Sequence, residues 1–163
     1  MNQYSDPKVA SSPGVLLEAL FKSSHIIHRQ LAERLSESEI PSYLTGPRMR
    51  FLRVVLHAGE IRMSDLAAEL GIKARTVTQF VDALEQENVI VRIPDPDDRR
   101  ATLIRVVDEA KPIIKKTAIA LREAADAIAS AMSEEKRTLL IELLTELAGS
   151  TEPNLDILDM ESY

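Results

Sequence analysis

Two short stretches of the chain carry the residues best suited to chemistry. In ARTVTQF, residues 74–80, Arg75, Thr76, Thr78 and Gln79 place forked donors, an amide and two hydroxyls within five positions. These are groups that match DNA base edges: Arg bridges two guanine acceptors, Gln pairs with adenine, and Thr offers a hydroxyl or a methyl. In RIPDPDDRRATLIRV, residues 92–106, Asp95, Asp97 and Asp98 crowd against Arg99 and Arg100. Three carboxylates could ligate a metal, two guanidiniums could grip an anion, or the charges could solvate a turn. A calcium loop needs further oxygen ligands and a terminal Glu at set spacing, and Arg99 and Arg100 stand in their place.

A third constellation is His25 with His28. At i and i+3 on a helix they could share a zinc ion with a third ligand such as His57 or a Glu; the bland alternative is a pair of surface or interface residues. Catalytic patterns are missing. The sequence has no glycine-rich phosphate loop, no His-Glu metalloprotease motif and no Gly-x-Ser-x-Gly turn. It has no cysteine, which excludes thiol catalysis and disulfides and fits a reducing cytoplasm. The expectation is a protein that is not an enzyme and needs no cofactor.

The elements that must position these residues follow from periodicity. From Val15 to about Ser38, Leu16, Leu17, Leu20, Phe21, Ile27, Leu31 and Leu35 recur at helical spacing. Ile40-Pro41-Ser42 breaks that helix, and Thr45-Gly46-Pro47 starts another that ends at Ala58-Gly59. Ser64 is the expected N-cap of a short helix that stops at Gly71. The next helix spans about Ala74 to Glu87, with Val77, Val81 and Leu84 on one side. Arg75, Gln79, Asp82 and Gln86 then face the other way, with Thr76 and Thr78 on the flanks. Asp82 would repel phosphate unless it is paired. Asn88 suits a left-handed exit from this helix. Val89–Ile93 and Thr102–Val107 read as a two-stranded hairpin. A long Ala/Ile/Leu-rich helix runs from Asp108 or Lys111 to Met132, and a last one begins at Ser133 and stops at Gly149.

This order predicts a mainly α fold with a small β-hairpin wing, a winged helix-turn-helix. The apolar stripes of the long flanking helices are too large for one small lobe to cover, which adds the expectation of a helical dimerisation domain. The expected parts are a flexible N-terminus (1–14), a dimerisation helix and linker (15–44), the winged lobe (45–107), C-terminal dimerisation helices (108–148) and an acidic tail (149–163). Charge follows the same division. The net charge is −6, yet residues 45–107 hold ten Lys/Arg against nine Asp/Glu while the remainder nets −7. An Arg-bearing middle in an acidic frame suggests one locally basic face. No apolar stretch is long enough to span a bilayer, and the N-terminus lacks a secretory pattern, so the expectation is no membrane and a cytoplasmic location. Since a recognition helix enters the groove by its N-terminal turns, Arg75, Thr76, Thr78 and Gln79 are the candidate base readers.

Residues 45–107 resemble the DNA-binding lobe of the MarR family of bacterial transcription regulators, through LAAELGIKARTVTQFVDALEQENVIVR and DPDDRRATLIRV. With the flanking helices the resemblance covers about residues 15–148. Three positions depart from the family pattern: Lys73-Ala74 stand where a Ser-Pro-like cap is usual, Asn88 replaces Gly, and Val107-Asp108-Glu109-Ala110 replaces Thr-Pro-Glu-Gly. The resemblance implies a homodimeric repressor on double-stranded DNA bearing an inverted repeat. It makes Arg100 the wing arginine that reaches toward the minor groove, Asp98 its brace, and Arg99 a phosphate contact or second brace. Arg62, Ser64 and Lys73 are candidate backbone contacts. It also implies a small aromatic or phenolic anion as effector, in a pocket whose candidate lining is Phe21, His25, His28, Arg48, Phe51 and Val55. Two alternatives stand beside this reading: a winged-helix module that binds a protein, and a zinc-responsive regulator of the same fold.

Overall fold

The computed structural model describes residues 12–149; the expectations for the rest of the N-terminal segment and the acidic tail lie outside them. Pro13, whose fixed φ suits a first helical turn, opens helix α1 (Pro13–Ser36). After the Ile40-Pro41 break, Pro47 sits in the first turn of α2 (Gly46–Ala58). This helix carries Met49, Phe51, Leu52, Val54 and Val55, all buried, because elements pack on more than one of its sides.

Strand β1 (Glu60–Arg62) follows, then the short helix α3 (Met63–Leu70) and the candidate recognition helix α4 (Ala74–Gln86). The turn between the two helices rests on Gly71, left-handed at φ 61°, where a side chain would be strained. Asn88 leaves α4 at φ 55°, as its tolerance of that region predicts. Strands β2 (Ile90–Pro94) and β3 (Thr102–Val106) form the wing hairpin. A 3-10 turn over Asp108–Ala110 leads into α5 (Lys111–Ala129), and α6 (Glu134–Ala148) ends at Gly149, also left-handed.

Two expectations need correction. The sheet has three antiparallel strands in the order β1-β3-β2, not two. Strand β1 pairs Ile61 with Ile104 and Arg62 with Leu103. For the same reason Ser64 does not cap α3. The extended conformation that Arg62 needs in the strand carries it to the N-cap position, and the helix begins at Met63. Ser64 Oγ instead donates to Asp65 Oδ1 at 3.1 Å.

The core joins Phe51, Leu52 and Val55 of α2 to Leu66 of α3, Val77, Val81 and Leu84 of α4, Ile90 of β2 and Ile104 of β3. The Phe51 ring meets Phe80 edge-on, centroids 5.9 Å apart, a favoured aromatic geometry. Ile114, Ala118 and Leu121 of α5 close this core from the other side, and Leu31 and Leu35 from the end of α1 pack on it. Helix α4 is thus seated on the core by its three inward residues.

Candidate nucleic-acid interface

Helix α4 turns Val77, Val81 and Leu84 fully inward, so the opposite face is fixed by the helical repeat. Arg75, Thr78 and Gln79 are exposed on its first two turns, and Thr76 is half-buried beside them. Thr78 Oγ1 donates to the Ala74 carbonyl at 3.1 Å, which leaves its lone pairs and methyl outward. Lys73 caps α4 without a side-chain hydrogen bond and is exposed. All four candidate base readers and one candidate phosphate contact therefore cluster at one helix end, where a recognition helix enters a groove.

Asp82, an apparent obstacle on this face, is paired. The Arg92 guanidinium on β2 bridges Asp82 and Glu85 of α4 through Nη2 and Nη1. The fork spans two carboxylates one helical turn apart and ties the wing's first strand to the recognition helix. Nothing in the local sequence marks Arg92, because its partners lie seven and ten residues away on another element.

In the wing, Asp97, Asp98, Arg99 and Arg100 are exposed, whereas Asp95 is buried. Asp95 Oδ1 accepts the backbone N–H groups of Asp97 at 2.8 Å and Asp98 at 3.2 Å. Its Oδ2 accepts from Arg62 Nε at 2.5 Å. The Arg62 hydrogen bond and those amides hold the Asp95 carboxyl below its ordinary pKa, and the same contact raises that of Arg62. Asp95 therefore does not solvate the turn; it organises the turn from inside. Asp98 Oδ1 accepts the backbone N–H of Arg100 at 2.9 Å, a contact with the main chain and not with the guanidinium.

The six residues expected to line an effector pocket are dispersed. Phe51 and Val55 are sealed in the lobe's core, Phe21 and His25 are exposed on α1, and Arg48 Nη1 donates to the Tyr43 carbonyl at 2.9 Å. Only His28 among them lines the large groove between α1 and α6, with Leu16, Leu20, Ile27, Leu140, Leu143 and Leu144. His28 Nδ1 is bonded to the Ser24 carbonyl at 2.7 Å. Among the described residues no group of three or more His, Asp or Glu side chains is placed to hold a metal ion. No helix there is long and apolar enough to cross a membrane.

Two helices joined by a glycine turn, followed by a hairpin with an arginine tip, define a winged helix-turn-helix. Residues 44–102 match the family model described as MarR family. The HTH-type transcriptional regulator YdgJ of Bacillus subtilis strain 168 is 30% identical over 107 residues, 66% of this chain and 65% of the relative. The match thus spans just under two thirds of YdgJ. Among solved structures, the transcriptional repressor CouR bound to a 23-mer DNA duplex matches with a TM-score of 0.72 at 16% identity, over 91% of this chain and 99% of that one. The PcaV transcriptional regulator from Streptomyces coelicolor, in complex with its natural ligand, gives 0.68 at 16% identity, over 88% and 96%. The two structural likenesses establish the fold. Residues 44–102 thus carry a MarR-family domain, on the winged helix-turn-helix fold that the two solved structures share.

Proposed function

We propose that the chain is a homodimeric, cytoplasmic repressor that reads an inverted repeat in double-stranded DNA and is released by a small aromatic anion. One observation carries the DNA reading: Arg75, Thr78 and Gln79 stand exposed on the first turns of α4, while the acidic residues further along that face are partly neutralised by Arg92. Arg75 and Gln79, with Thr76 and Thr78 beside them, contact base edges. Lys73 and Ser64 contact phosphate, and Arg99 and Arg100 carry the wing to the flanking groove, where a narrow minor groove's negative potential favours an arginine.

The dimer is supported by what the arms leave uncovered. Leu16, Leu17 and Phe21 of α1 and Leu139, Leu140, Leu143, Leu144 and Leu147 of α6 are all between 39% and 69% exposed, a patch that a second copy of the same arms would cover. Release by an effector is supported by PcaV, a likeness solved with its natural ligand. A ligand that favours a half-site spacing unlike the operator's would shift the population off DNA.

Mobility shifts on a fragment selected from random DNA, and on its scrambled version, test this reading. Arg75→Ala and Gln79→Ala are each expected to cost about 1–3 kcal/mol on the selected fragment and little on the scrambled one. Lys73→Ala should weaken both alike. Equal loss on both fragments for Arg75→Ala removes its base-reading role. Adding salicylate to the same shift should release the DNA; an unchanged shift deletes the aromatic effector.

A further inference from the structure

The wing is held by more than its two strands. Asp95 belongs to an exposed, charged loop, yet its side chain is only 3% exposed and both its oxygens are used. One oxygen gathers the amides of Asp97 and Asp98 and so shapes the turn. The other reaches Arg62, 33 residues earlier, which ends β1 and caps α3. From Asp98 the line continues, because its carboxylate accepts the Arg100 N–H and its carbonyl accepts the Ala101 N–H, both at 2.9 Å. A continuous set of hydrogen bonds thus runs from the head of the helix-turn-helix to the backbone of the wing arginine.

We propose that Arg62 is a positioning residue for DNA recognition: it grips the buried Asp95 carboxylate and so fixes the wing tip relative to α3 and α4. Arg100 and the recognition helix then meet one duplex together, and Arg62 itself does not bind phosphate. This inference rests on the DNA-binding reading above. Its physical basis is preorganisation. A charge-assisted bond to a buried, otherwise satisfied carboxylate is strong and directional, and a wing already in its bound orientation loses less freedom on binding. Without Arg62, Asp95 Oδ2 would be left under-satisfied and would turn toward water, taking the Asp97 and Asp98 amides with it.

A phosphate contact and a positioning contact differ in how they combine with the wing. Two independent contacts add, whereas a residue acting through another loses its effect when that other is gone. Arg62→Ala is expected to weaken binding to the selected fragment about tenfold, and by less than about twofold in an Arg100→Ala background. Asp95→Asn retains an oxygen for the turn amides but loses the charge that holds Arg62; it should reproduce the Arg62→Ala result in both backgrounds. Minor-groove footprints should show protection lost at the wing's flank, with the major-groove protection by α4 retained, which general destabilisation would not produce. A tenfold loss from Arg62→Ala in both backgrounds, or unchanged affinity in the first, overturns the proposal while leaving DNA binding intact. If the unaltered protein enriches no fragment, the DNA-binding reading fails and the proposal with it.

Discussion

The winged lobe and the helical arms use similar apolar residues to opposite ends. In the lobe, Phe51, Leu52, Val55, Leu66, Val77, Val81 and Leu84 are fully buried within one chain. In α6 none of the leucines is buried, and Leu143 remains 52% exposed. Helix α1 divides between the two behaviours: its end packs Leu31 and Leu35 on the lobe's core, while its beginning leaves Leu16 and Phe21 in the open. The difference teaches where the chain's own core stops. The lobe's core is closed within one chain, by its own residues with α5 and the end of α1, whereas the start of α1 and α6 leave their apolar side chains uncovered.

That contrast is broken most forcefully in the arms. Leu140→Asp combined with Leu143→Asp should raise the dimer dissociation constant about a hundredfold or more, read by sedimentation. The lobe should keep its cooperative melting, because neither residue reaches its core. A protein that stays dimeric would show that α6 lies outside the interface.

A smaller effect sharpens the lobe's side of the comparison. Asp95 has its pKa depressed in the folded chain, by Arg62 first and by the Asp97 and Asp98 amides next. A depressed carboxylate contributes stability that is fully present above its unfolded pKa, near 4, and is lost as pH falls through the lower folded value. Denaturant titrations at stepped pH should therefore show an acid-side loss of stability that Asp95→Asn makes shallower. An identical acid limb in the variant would show that the Arg62–Asp95 pair contributes nothing in solution.

Much of this design is legible in the sequence because it is local. Gly71 and Asn88 mark backbone conformations that few other residues accept, and the spacing of Val77, Val81 and Leu84 fixes which face of α4 is outward. What the sequence hides is pairing at a distance. Strand β1 is three residues long and exists through its register with β3, so no alternation announces it. The burial of Asp95 depends on an arginine from that same strand, and the fate of Asp82 on Arg92 across the hairpin. The effector-pocket expectation placed Phe51 and Val55 at a cavity, but α2 is packed on more than one of its sides and encloses them.

The most direct test of the central claim, that arms hold two reading heads at a fixed distance, is the DNA the intact protein selects. Fragments enriched from random sequence should carry an inverted repeat with half-site centres about one helical turn, on the order of 10 base pairs, apart. Each repeat should bind two protomers. Enrichment of a single half-site bound by one protomer, or no enrichment at all, would contradict it.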